Sequence, residues 1–319
     1  MKQFLNSFDA PTRRQFVERC AAAAFGLKVI PATQLQADET KPSLHPAFGK
    51  AKSVIWIMLD GGLSHIDSLD PKDGKSKGPA DKIETAADFQ VTSFFPKLAT
   101  VADRMCVIRS MEAKIGVHKP AQYFMRTAYE ARGTILHPNL GAWGSHYLGR
   151  SSDTLPSNVC INRRSDQGNG FFPASYAPLA IGEPSRGISN VRAIDNAGKN
   201  SKRLALLNRL DTGFRKRFND KGVNAYNGFY DDALVLMKSK ELTAFDLAGE
   251  PESIRTAYGN NAFGQGCLLA RRLVASGVRF IEVTHGGWDH HKALADEMGE
   301  VAPVFDQAFA TLITDLEQR

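Results

Sequence analysis

Ser53-Val54-Ile55-Trp56-Ile57-Met58-Leu59-Asp60-Gly61-Gly62 is the stretch that decides the fold. Its apolar run has no polar alternation, which reads as a strand buried on both faces, as in parallel sheets covered by helices. Gly61-Gly62 closes the run. A further strand, Val278-Arg279-Phe280-Ile281-Glu282-Val283-Thr284, follows an apolar-striped helix at 263–275 that Gly277 stops. Between the two runs the periodicity predicts helices at 95–104, 119–129 and 140–148 and a strand at Met105-Cys106-Val107-Ile108-Arg109. A last helix runs from about 296 to the end. Helix and strand alternate, so the fold class is α/β, a mostly parallel sheet flanked by helices.

From 149 to 261 the pattern loosens. Gly, Pro, Ser and Asn are abundant there, and the two long helical stretches fall at 202–219 and 224–240. This segment reads as an insertion or cap between a first part of the core at 51–148 and a second part at 262–319. Ahead of the core, 1–37 reads as a leader and 38–50 as a Pro-containing linker. No solenoid repeat is present.

The 319 residues suffice for one large domain or two modest ones, and 43% apolar against 23% charged residues excludes global disorder. The net charge of +6 is a mild excess for this length. The densest basic run, Lys199 to Arg217, has Asp211 mixed in and reads as a solvated helix face, so no nucleic-acid partner is expected. Cys20, Cys106, Cys160 and Cys267 have no short paired spacing and make neither a zinc knuckle nor a disulfide framework.

Thr12-Arg13-Arg14-Gln15-Phe16-Val17 fits the twin-arginine export pattern and leads into a short apolar stretch over 20–30. Gly26 and Lys28 interrupt that stretch, which falls short of the ~20 residues of a spanning helix. A signal with Leu35-Gln36-Ala37 as its cleavage site is the expectation, which places the protein in the periplasm or at the cell surface. Membrane contact is then expected only through an uncleaved leader. A basic amphipathic helix is the plainer alternative. Without Cys20 three cysteines remain, read as buried thiols with one pairing left open.

In an open parallel sheet, ligands collect at the carboxyl ends of the strands. Asp60 ends the first strand, and Asp289-His290-His291 follows the last one in a Gly-rich loop. Carboxylate oxygen and imidazole nitrogen suit a divalent ion, with zinc, manganese, iron and calcium as candidates. Asp-Gly-Gly also reads as a simple turn in which Asp caps the next helix. His118 lies just after the expected second strand, at the start of a helix whose unpaired N–H groups attract anions. It reads as a group acting on a bound phosphate or sulfate, as a metal ligand, or as a solvent-facing residue near the cap. Ser64, His65, Asp67 and Asp70 are candidates for a supporting shell, with His65 more naturally a surface loop residue.

The order of these blocks resembles the exported bacterial domain-of-unknown-function family numbered 1501, which is similar to sulfatases and the alkaline-phosphatase superfamily. The blocks are the twin-arginine leader, Ala51 to Gly62, Ser64-His65-Ile66-Asp67-Ser68-Leu69-Asp70-Pro71, the His118 helix, and Gly286-Gly287-Trp288-Asp289-His290-His291. The resemblance implies an alkaline-phosphatase/sulfatase-like core that hydrolyses a phosphate or sulfate ester, small or on a glycan, with Asp60, Asp289 and either His290 or His291 as metal ligands. Two ions in such sites lie ~4 Å apart. His118-Lys119-Pro120-Ala121-Gln122 falls where sulfatases carry their nucleophile motif, so the resemblance puts His118 in the catalytic position. It also implies further ligands, an Asp-His pair and a last His, after the final helix. None follows here, so the expectation is a hydrolase-like protein with an incomplete site. The alternative is a non-catalytic exported protein that binds sulfated or phosphorylated glycans.

Overall fold

A computed structural model describes residues 49–163, 168–189, 191, 196–218 and 221–319. The expected leader and most of the linker lie outside the described residues. The chain divides into two units, Met1–Ala51 and Lys52–Arg319, and the elements below belong to the second.

The main sheet has four parallel strands in the order β1, β6, β4, β5: Val54–Leu59, Phe280–His285, Asn158–Ile161 and Leu179–Ile181. Lys82–Ile83 (β2) and Val91–Thr92 (β3) form a separate antiparallel pair. The helices are α1 (Pro96–Thr100), α2 (His118–Thr127), α3 (Leu140–Leu148), α4 (Ala197–Arg217), α5 (Lys221–Lys238), α6 (Glu252–Tyr258), α7 (Ala262–Ala275) and α8 (Leu294–Glu317).

β6 is the centre of the sheet, with Val283 opposite Ile57 on one side and Ile161 on the other. Its side chains alternate between the two faces. Ile281 and Val283 point to the face covered by α7, and α8 packs behind α7. That face holds the core, where Leu268, Leu269, Leu273, Met298 and Phe305 are buried with the strand residues. Phe280 and Glu282 point to the opposite face. Phe280 meets α3 at Gly141, where a Cβ would lie 2.6 Å from its ring, and Glu282 meets Arg126 of α2. The result is a sheet between two helical layers, with every strand delivering its carboxyl end to one edge.

Two expectations are corrected. The run 105–109 is not a strand: Ile108 is 64% exposed and the segment passes over the surface. A five-residue apolar run looks the same in a strand as in a loop that lays single residues on a core, and Met105 does the latter. The stretch 149–261 is not wholly an insertion. β4 and β5 lie within the main sheet, and Phe245, Leu247 and Tyr258 join the core. Asn158-Val159-Cys160-Ile161 is buried throughout, but so short a run between polar loops carries little periodic signal. The two long helices of the stretch are present as α4 and α5. Cys160 and Cys267 are buried free thiols, whereas Cys106 is free and exposed; burial pushes the Cys160 thiol up to about 11.

Candidate metal centre

β1 and β6 end side by side, with Leu59 opposite His285. The Asp60 amide donates to the His285 carbonyl at 2.9 Å, and the Trp288 amide donates back to the Asp60 carbonyl at 3.3 Å. These bonds tie the loop after β6 to the end of β1. The contact is close because Gly61 has no side chain: at φ +111°, its Cβ would sit 2.6 Å from the Asp289 nitrogen. Gly61 is required by the approach of a second chain segment as well as by its own turn, and Gly62 by its backbone conformation alone, φ +148°.

Along the loop from Trp288 to His291, inward and outward side chains alternate. Trp288 is buried, and its indole N–H donates to Nδ1 of His285 at 3.1 Å. His285 lies stacked on Phe263, and burial lowers its pKa to about 4, which keeps Nδ1 free to accept. His290 also points inward, with Nδ1 2.9 Å from the Glu297 carboxylate. Asp289 and His291 therefore point outward together.

α2 begins beside them. Nε2 of His118 lies 3.0 Å from Oδ2 of Asp289, and Nε2 of His291 lies 2.8 Å from Oδ1 of the same carboxylate. Donor atoms of the three side chains all fall within 4.8 Å of one another. Their side chains are 53%, 47% and 78% exposed for His118, Asp289 and His291. Two neutral imidazoles and a carboxylate form a donor set suited to zinc, iron or manganese, and the open side leaves coordination positions for water or a substrate oxygen. In these contacts both imidazoles address the carboxylate through Nε2, so an ion binding there would replace two N–H to oxygen contacts.

Of the five residues singled out from sequence, the structure brings His118, Asp289 and His291 together. Asp60 reaches the same sheet edge but stands outside the group, with Oδ1 3.4 Å from Nη2 of Arg126. His290 is turned into the protein. Of the proposed supporting residues, Ser64 donates to the buried Asp67, Asp70 pairs with Lys72 and Arg109, and His65 is exposed.

Arg126 and Glu282 form a buried ion pair beside the donor group that the sequence reading missed. Glu282 is 4% exposed on the central strand, with Oε1 2.8 Å from Nε of Arg126 and 3.2 Å from Nη1 of Arg163. Arg126, 7% exposed, thereby joins α2 to both β6 and Asp60. The available signal was Glu282 itself, a carboxylate inside an otherwise apolar strand, which a buried position tolerates only with a partner.

The family described as "Protein of unknown function (DUF1501)" matches residues 51–319. No curated protein and no solved structure matches the chain. A match over that span, which takes in the sheet, the glycine-bounded strand end and all three clustered donors, shows that the chain belongs to the DUF1501 family.

Proposed function

We propose that the protein is an exported, metal-dependent hydrolase of phosphate or sulfate esters, with a core of the alkaline-phosphatase and sulfatase type. The observation that carries this reading is the convergence of His118, Asp289 and His291 at the carboxyl edge of a parallel sheet. A divalent ion held there supplies Lewis-acid polarisation of an ester oxygen. The protein's own part is to bind and orient. Asp289 supplies a carboxylate between two imidazoles, and His118 brings the amino end of α2, whose unpaired N–H groups favour an anion, against the same point. His118 is a ligand in this reading rather than a nucleophile. Three donors make one ion site, and a second ion needs donors beyond these. The export assignment rests on Thr12-Arg13-Arg14-Gln15-Phe16-Val17 and is tested by replacing Arg13-Arg14 with Lys-Lys and locating the protein.

Elemental analysis tests the centre. After dialysis against micromolar zinc, manganese or iron, the protein is expected to retain one of these ions near stoichiometry. His118→Ala, Asp289→Ala and His291→Ala are each expected to lose it, and Asp60→Asn to keep it. Metal-free wild-type protein after this treatment, or metal retained by all three variants, would overturn the proposal.

A further inference from the structure

A cavity of about 300 Å³ lies at the edge of the sheet away from the candidate metal centre. It forms where α3, α5 and the turn at Ala174–Tyr176 meet the first residues of β4 and β5, Asn158 and Leu179. Because the strands are parallel, this is the amino edge. The four residues of β4 put it at least ~13 Å from the carboxyl edge, where His118, Asp289 and His291 gather.

Charge fixes one property of the ligand. Among the described residues, the guanidinium and the carboxylate on the wall are those of Arg150 and Asp232, and they pair with each other at 2.7 Å. No lysine lines the cavity, so no cation is left over for a phosphate or sulfate. Shape fixes another. Pro156, Leu179, Ala233 and the buried Leu236 make the wall largely apolar, and two rings form a corner in it. His146 meets Tyr176 edge to face, with centroids 5.4 Å apart and planes at 69°, and Phe172 backs both, stacked on His146 at 4.4 Å. A flat guest can lie along one ring and turn its edge to the other.

The hydrogen-bonding groups fix a third. Ser157 Oγ donates to Ser145 Oγ at 2.8 Å, and Ser145 Oγ donates on to the Gly141 carbonyl at 2.8 Å, so both protons are committed. The Tyr176 hydroxyl has no hydrogen-bond partner among the described residues and is left to meet a polar atom of the guest. An apolar cavity of about 150 Å³ holds one benzene ring, and twice that volume admits two fused rings.

We infer that this cavity is a ligand site separate from the candidate metal centre, and that it takes an uncharged bicyclic aromatic molecule bearing one hydroxyl group. Nothing in the inference depends on a metal ion or on the ester hydrolysis proposed above.

Fluorescence and NMR titrations with 2-naphthol, naphthalene and naphthalene-2-sulfonate test it. 2-Naphthol is expected to bind one to one, at least tenfold more tightly than the sulfonate, and to change less than twofold on addition of chelator or in Asp289→Ala. In wild-type protein its methyl shift changes are expected to centre on Ala177, Ala233 and Leu236. Ala233→Phe puts a ring into the cavity from α5 and is expected to weaken 2-naphthol and naphthalene at least tenfold. Tyr176→Phe keeps the ring and removes only the hydroxyl, so it is expected to weaken 2-naphthol by three- to tenfold and naphthalene by less than twofold. Circular dichroism checks that both variants fold, and the wild-type shifts decide the location without them. Equal affinity for 2-naphthol and the sulfonate, binding that requires zinc, shift changes centred elsewhere, or indifference of folded Ala233→Phe protein would overturn the assignment. An equal effect of Tyr176→Phe on 2-naphthol and naphthalene would overturn the role given to the hydroxyl.

Discussion

Gly61→Ala is the most informative single change, because one methyl group reports on the contact that holds Asp289. Gly61 has φ +111°, a region that side-chain-bearing residues rarely enter, which costs about 1–3 kcal/mol. The new Cβ would lie 2.6 Å from the Asp289 nitrogen and 3.0 Å from the Asp289 Cβ, backbone and near-backbone atoms that cannot swing aside. Overpacking of that kind adds about 1–3 kcal/mol. The total is about 2–6 kcal/mol, read as a fall in the midpoint of urea denaturation with unchanged slope. Because relief comes by pushing Asp289 away, zinc affinity is expected to fall at least tenfold in protein that remains folded. Gly62→Ala isolates the backbone term, since φ is +148° but the nearest atom, the Trp288 carbonyl oxygen, lies 3.4 Å away. Gly286→Ala meets nothing within 4 Å and is the control. If Gly61→Ala matched Gly286→Ala in stability and zinc affinity, the argument that β1 and the loop after β6 fix each other would be refuted.

Three further outcomes are expected. Arg126→Met leaves the buried Glu282 carboxylate with Arg163 as its remaining cationic partner among the described residues, beside the Thr284 hydroxyl, and is expected to destabilise by about 2–4 kcal/mol in chemical denaturation, most of it recovered in Arg126→Met with Glu282→Leu. His285 has its pKa lowered by burial from 6.5 to about 4, so the folded state keeps it neutral while the unfolded state takes up a proton. Its contribution is therefore full above pH 6.5 and lost progressively as pH falls from 6.5 to 4, by about 1–2 kcal/mol after allowing for partial exposure. His285→Gln, which retains an acceptor for the Trp288 indole, is expected to reduce the stability lost between pH 7 and 4.5 by that amount. His290→Ala removes no donor from the outward group but frees the loop from Glu297, and is expected to weaken zinc binding about tenfold in a competition titration, against complete loss in Asp289→Ala.

The sheet was legible where a strand is long and unbroken. Val54–Leu59 carries a continuous apolar run closed by glycine, Phe280–His285 carries Phe, Ile, Val and Thr around Glu282 between Gly277 and Gly286, and both were placed to within two residues. β4 and β5 were not, because four and three residues between Gly-rich and Pro-rich loops are too few to show a period. The opposite failure befell 105–109, an apolar run that never enters the sheet. The site was legible in its donors and illegible in its scaffold. Asp289, His291 and His118 stand out as polar groups at element ends, while Arg126 looks like any helix arginine until Glu282 is seen beneath it. The choice between His290 and His291 turned on which of two adjacent side chains faces inward, and that follows from the burial of Trp288 two positions before His290.

That alternation also explains how exposed groups can form a defined site. Asp289 and His291 lie at the surface, where side-chain freedom works against holding three donors together. Their backbone is not free to wander, because the intervening positions are committed: Trp288 is buried against His285, and His290 is directed inward to Glu297. From the other side, Arg126 fastens α2 to the central strand through Glu282 and so sets where His118 begins. Both anchors lie in the protein interior, one on each side of the sheet edge, and neither belongs to the donor group. The geometry of the three donors is accordingly a property of the fold, which is why changes at Gly61, Arg126 and His290 are expected to weaken metal binding without removing a ligand atom.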